Sequence, residues 1–459
     1  MAGIPRLRRP DGTAFRPGAG PLGGAWPGDG RRGSGRLRAG AALLAVVIAV
    51  VVARCAMTSS AQAAPPEPQV RAAAAATLAA RDAAVAAHDK AAYLATDADG
   101  AYKSADAQVF DNLTSLPLAS WSLTLAADQS TAKRAGVPHL YQVTESYELS
   151  GVDYRPVTDT RYLTFVERGG KWLISSGGDG SAAGLHPDTQ IWDQGPVSVV
   201  QGSRSLIIGL GGQERLKPFA DLADHAAAKA ATVWGAAGWK GTVVVEVPMN
   251  QAQVETLLDS PAGSLAGVVA ITAGEGGQAL TAAPASRVLV NPDAFDGEAP
   301  DAWQFFFDHE LTHVATRAWT TSAVPLWLSE GAADYSGYLG SSISVDRRFE
   351  ELANAVAQSG WTPKDLPATD DFAGSGDSVS RTYQISNLAC ALIAQKYGQA
   401  KLVAFYKAVG TAPAGTADPV DHAFRTVLGT TTAEFTAKWR AFVLNEAHTV
   451  TAILAKKHS

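Results

Sequence analysis

The chain has 459 residues, 46% of them apolar and 18% charged, which is room for two or three folded domains and excludes a mainly disordered protein. A formal net charge of −6, with no basic stripe beyond residue 54, excludes a nucleic-acid partner. Two cysteines, Cys55 and Cys390, exclude a disulfide scaffold, and Cys55 follows Arg54 at the edge of an apolar run, a poor place for a bridge.

Residues 1–38 carry eight arginines against Asp11 and Asp29 and are rich in Gly and Pro, so they are expected to be a disordered basic segment. Fifteen uncharged residues follow, "AGAALLAVVIAVVVA" at 39–53, and their flanks extend the apolar run to residue 57. Residues 39–57 therefore read as a transmembrane anchor or a signal segment. The arginines place the N-terminus in the cytoplasm and everything beyond residue 57 outside. "AQA" at 61–63 is a small-x-small pattern, so secretion after cleavage near Ala63 is the alternative. The long basic segment favours an uncleaved anchor and a single-pass cell-membrane protein. Residues 58–69 read as its linker.

Alanine-dense residues 70–95 predict a helix, with Arg81, Asp82, His88, Asp89 and Lys90 clustered in its middle. Strand-like runs follow at 120–127, 140–149 and 161–178, the last split by Gly169-Gly170 as in a hairpin. A helix and a curved antiparallel sheet predict a small accessory α+β domain over 70–183. With "PLASWSL" and the terminal "KWLI" strand, it resembles the nuclear-transport-factor-2-like cone fold.

A second domain is expected over 186–446, with a C-terminal tail at 447–459. Its strands are predicted at 203–212, 241–249, 266–272 and 286–295, with a helix at 216–235. Beyond residue 300 nearly everything reads as helix. The fold class is α+β: a mixed sheet followed by a helical bundle.

The chemistry sits in "DAWQFFFDHELTHVATRAW", residues 301–319, which has the length and pattern of a buried helix. Helical spacing puts His309 and His313 on one face, where both imidazoles could hold one Zn²⁺. Glu310 flanks the metal without ligating it and could take a proton from its water. "PLWLSEGAADYSGYL", residues 325–339, predicts a second helix carrying Glu330, which completes a His₂Glu ligand set. Asp334, one turn on, can accept the outer N–H of a ligand histidine.

H-E-x-x-H followed by W-L-x-E-G-x-A-x-Y resembles the gluzincin metallopeptidases. That resemblance implies His309, His313 and Glu330 as zinc ligands, Glu310 as general base and Asp334 as the supporting aspartate. The segments at 383–410 and 421–443 look like the C-terminal helices of peptidase-MA-like proteins, a layout that puts Tyr383 at the site as oxyanion donor, with His422 the lesser candidate. The aminopeptidase branch carries G-x-M-E-N before the zinc helix; the corresponding strand here, "RVLVNPDAF", lacks it, and Asn291 and Asp293 are poor substitutes. An endopeptidase acting on peptide or protein substrates is expected, its edge strand pairing with extended substrate. Two alternatives stay open: a non-catalytic surface protein on a gluzincin body, and a zinc hydrolase of a non-peptide amide. The Gly/Ser-rich stretch at 369–380 reads as a surface loop, either inert or near the cleft. Substrate sequence and oligomeric state are not encoded in these patterns.

Overall fold

The computed structural model describes residues 67–457 apart from 128–129, 276–278, 280 and 374–375. The basic segment, the apolar run, Cys55 and most of the linker lie outside the described residues. Among the described residues no helix is long and apolar enough to cross a membrane.

The first helix runs Glu67–Ala86 and stops short of residue 95. His88 takes a left-handed conformation (φ 54°), and Asp89 caps a separate turn of helix, Lys90–Leu94, by accepting from the Ala92 N–H. A further helix, Ala101–Ser115, falls in a stretch the sequence pattern left unassigned. Four strands then form an antiparallel meander: β1 (Leu118–Leu125), β2 (Leu140–Leu149), β3 (Val157–Arg168) and β4 (Lys171–Ser176). Gly169 and Gly170 turn the β3–β4 hairpin with φ of 58° and 78°, a conformation that favours residues without a Cβ. Val70, Ala74 and Leu78 of the first helix pack on Leu123, Val143, Phe165 and Ile174 of this sheet. Arg81 turns inward rather than to solvent: it is 2% exposed and is held by Asp97, Asp106 and Tyr93.

The second sheet holds β5 (Val197–Gln201), β6 (Ser205–Leu210), β7 (Val243–Val247), β8 (Ala270–Gly274) and β9 (Ser286–Val290) in the order β5-β6-β7-β9-β8. β6, β7 and β9 are parallel, whereas β5 and β8 are antiparallel to their neighbours. β5 had no counterpart among the predicted strands. The edge strand on the β9 side is β8, so "RVLVNPDAF" is an inner strand and not the edge expected from sequence. It also ends early, at Val290, because Pro292 opens a helical turn, Pro292–Phe295.

Side chains of this sheet alternate between two cores, as strand geometry requires. Ile207, Val243, Val245, Val288 and Val290 face the helices, led by Gln213–Trp234 and Pro300–Thr316. Leu206, Ile208, Leu210 and Val244 face the other way, into a cluster with Tyr147, Leu149, Val157, Ile191 and Trp192. The N-terminal layer and the second sheet thus share a core. A buried ion pair crosses the same contact, Arg287 on β9 with Asp153 at 2.7 Å.

Among the further helices of the bundle are Leu326–Tyr338, Glu350–Ser359, Asp377–Tyr397, Gln399–Gly410 and Thr432–Lys457. The last runs past residue 446, where the predicted tail begins, because Ala447 and Val450 still bury apolar surface.

Candidate metal centre

Pro300 opens the motif helix at its first position, where its missing N–H costs nothing, and the helix runs to Thr316. His309 is 1% exposed and His313 7%, and both face the helix Leu326–Tyr338, which supplies a fully buried Glu330. The Leu326–Tyr338 helix approaches the Asp377–Tyr397 helix closely at Gly331, where a Cβ would sit 2.3 Å from the Ser386 carbonyl oxygen. Glycine beside Glu330 is therefore a packing requirement.

Nε2 of His309 and Nε2 of His313 are 3.2 Å apart. Oε2 of Glu330 lies 3.5 Å from the first and 3.6 Å from the second. A tetrahedral ion with bonds of roughly 2.0–2.1 Å needs donors about 3.3–3.4 Å apart. Both Glu330 carboxylate oxygens are buried without a hydrogen-bond partner, a costly arrangement that a cation resolves. Among the described residues no other group of three or more His, Cys, Asp or Glu is placed to hold a metal. The donor set fits zinc.

Asp334 Oδ1 lies 2.8 Å from His309 Nδ1, which holds that ring with Nε2 toward Glu330. Ser329 Oγ stands 3.5 Å from His313 Nδ1. Burial disfavours the charged form of His309, but Asp334 and Glu330 outweigh it and push its pKa up to about 10. Burial likewise opposes ionisation of Glu330, yet the two histidines pull its pKa down to about 2. A proton on His309 does what a cation does better. Zinc uptake must displace that proton, so apparent affinity should rise roughly tenfold per pH unit below pH 10 and collapse in acid. Calorimetry in buffers of different ionisation enthalpy should show about one proton released per zinc at neutral pH. Asp334→Asn should weaken zinc binding about 10–100-fold in the same titration.

Glu310 is 3% exposed, and its Oε2 accepts a hydrogen bond from Thr272 Oγ1 of β8 at 2.7 Å. No motif marks Thr272, 38 residues upstream. Tyr383 sits in the second turn of its helix rather than opening it, 8% exposed, with its ring edge-on to Phe372 at 5.2 Å. Burial first, then the charges of Glu330, Asp334 and Glu310, raise its phenol far above its ordinary value, so it stays protonated beside the cluster. Phe372 is itself 1% exposed, whereas its described neighbours 369–371 and 376–378 are exposed, so it is this ring of the stretch that packs against Tyr383.

His422 is exposed on the short helix Pro419–Ala423, and nothing ties it to the cluster. Asn291 spends its amide on the Leu265 and Val268 carbonyls, and Asp293 accepts from the Gln251 N–H. Both hold loops. A separate cavity of about 210 Å³ in the N-terminal layer is lined by Arg81, Asp106, Glu145 and Arg161 among others, and these charges pair with protein partners.

No protein-family model matches the chain, and no curated protein matches it either. Solved structures that overlap it loosely include two zinc metallopeptidases. The crystal structure of a two-domain M1 zinc metallopeptidase mutant bound to L-arginine is 16% identical, with a TM-score of 0.32 over 61% of this chain and 58% of that one. An M1 zinc metallopeptidase from Deinococcus radiodurans is 17% identical, with a TM-score of 0.30 over 61% and 58%. The chain therefore spans less than two thirds of either protein. At this similarity the overlap decides nothing about chemistry, which rests on the geometry of His309, His313 and Glu330.

Proposed function

We propose that this chain is a zinc-dependent peptidase of the gluzincin type, held outside the cell membrane by its N-terminal segment and cutting within peptide chains. The single observation that carries the proposal is the buried His309–His313–Glu330 donor triangle, with Glu310 on the same helix. When bound, zinc supplies Lewis-acid chemistry, lowering the pKa of a water to roughly 7 and polarising a carbonyl.

The protein's own groups do the rest. Glu310 takes the water's proton and passes it to the leaving amine. Tyr383, kept neutral by burial, donates to the oxygen on which charge develops. Asp334 fixes the tautomer of His309. β8 pairs with β9 along one side only, so its other edge can offer N–H and C=O groups to an extended peptide. Support for internal cleavage comes from the missing amine anchor. Glu275, the acid that follows β8, stands 3.6 Å from Arg287 and belongs to the buried charge group on the sheet's opposite face.

The arginines of residues 1–38 and the apolar run at 39–57 support the anchor, with release near Ala63 as the alternative. The test of the activity is cleavage of a proteome-derived peptide library by the purified chain from residue 67. Cleavage should vanish with a chelator, return with zinc, and yield internal fragments; stepwise loss of N-terminal residues would overturn the endopeptidase reading, and no zinc-dependent cleavage would overturn the peptidase.

A further inference from the structure

We infer that Thr272 is a positioning residue for Glu310, tying the proposed general base to the edge strand β8. The inference rests on the peptidase reading for its catalytic meaning, but the contact itself is geometric. Thr272 Oγ1 lies 2.7 Å from Oε2 of the Glu310 carboxylate and 3.0 Å from the Glu310 carbonyl oxygen. A hydroxyl has one proton to give, and here both acceptors belong to the same residue. The hydroxyl is 6% exposed as part of its residue, so water does not compete for it.

Strand alternation explains why this residue reaches. Thr272 pairs with Val288 on β9, and Val288 faces the helical core, so Thr272 points to the same side, onto the motif helix. Its neighbours Ile271 and Ala273 point the other way. A one-residue slip of β8 would remove the hydroxyl from Glu310 altogether.

Two consequences follow. A carboxylate on a long side chain has rotamers that a bound proton acceptor cannot use; the Thr272 bond selects one and leaves Oε1 as the oxygen that takes the proton. The strand proposed to pair with substrate is also the strand that holds the base. Substrate that seats on β8 thereby finds Glu310 already in register. Val in place of Thr keeps the β-branch and volume while removing the donor; Ser keeps the donor.

The experiment compares Thr272→Val and Thr272→Ser with the parent, all zinc-loaded and checked for one zinc per chain and for near-ultraviolet dichroism. Two readouts are taken: steady-state cleavage of a library-derived peptide, and equilibrium binding of a peptide hydroxamate, whose hydroxyl proton needs a carboxylate in the base position. Thr272→Val should lower kcat about 10–100-fold with KM little changed, and weaken the hydroxamate about tenfold. Thr272→Ser should recover most of both. Parental kcat and hydroxamate affinity in Thr272→Val would overturn the inference, as would an equal loss in Thr272→Ser. A parent that cleaves nothing refutes the peptidase reading alone, because hydroxamate binding still reads the Thr272–Glu310 contact. If Thr272→Val fails to fold, Thr272→Ala with the same two readouts replaces it, and the Ser variant must still outperform it.

Discussion

Glu310→Gln should keep one zinc per chain and lower peptide cleavage roughly 10²–10⁴-fold, the range spanned by loss of a general base. The amide is nearly isosteric with the carboxylate and its oxygen can still accept from Thr272, so fold and metal site survive. What is lost is the ability to take a proton. Metal analysis beside a rate measurement separates this from ligand loss: His309→Ala, His313→Ala and Glu330→Ala should lose zinc and activity together. Full activity in Glu310→Gln would remove Glu310 from the mechanism. A parent chain that binds zinc but cleaves neither peptides nor other amides would favour a binding protein built on the same scaffold.

The clustering of His309, His313 and Glu330 was legible in the sequence because its information is local. His309 and His313 lie one turn apart on a helix whose apolar length is plain in "QFFFDHELTHV", and Glu330 with Asp334 repeats the same spacing on the next helix. The two helices are consecutive in the chain and pack side by side, so two local patterns suffice to place three donors within 4.8 Å.

Contacts set by strand order were not legible. Thr272 is unremarkable in "GVVAITAG"; its meaning comes from β8 taking the outer position beyond β9, against the order in which the two appear along the chain. The same ambiguity assigned the edge to "RVLVNPDAF". β6, "SLIIGL", is apolar on both faces, a pattern that fits a buried strand without saying what covers each side. One side meets the predicted helices. The other meets residues expected to form a separate domain.

That shared core gives the second large expected effect. A chain starting at His186 uncovers Leu206, Ile208, Leu210 and Val244, each 3% exposed or less in the intact protein, though it retains every proposed zinc ligand. Ile191, Trp192 and Ala285 of the same cluster stay, so at about 1.5–3 kcal/mol per fully buried side chain the loss is at most roughly 6–12 kcal/mol. Total stabilities of single domains lie at about 5–15 kcal/mol, so the loss is of the size of the whole. Truncation also leaves Arg287, 1% exposed, without the Asp153 carboxylate it holds at 2.7 Å. Glu246 and Glu275, 3.7 Å and 3.6 Å from its Nε, are the carboxylates that remain beside it. The truncated chain should be insoluble or aggregate on purification, whereas the chain from residue 67 stays soluble. In that longer chain Asp153→Ala should cost about 3–5 kcal/mol in urea unfolding, because Asp153 accepts from both terminal nitrogens of the buried Arg287. A soluble truncated monomer melting within a few degrees of the longer chain would show that the N-terminal layer is a detachable module. An insoluble one, with Asp153→Ala destabilised in step, would make the layer the second wall of the β5–β9 sheet.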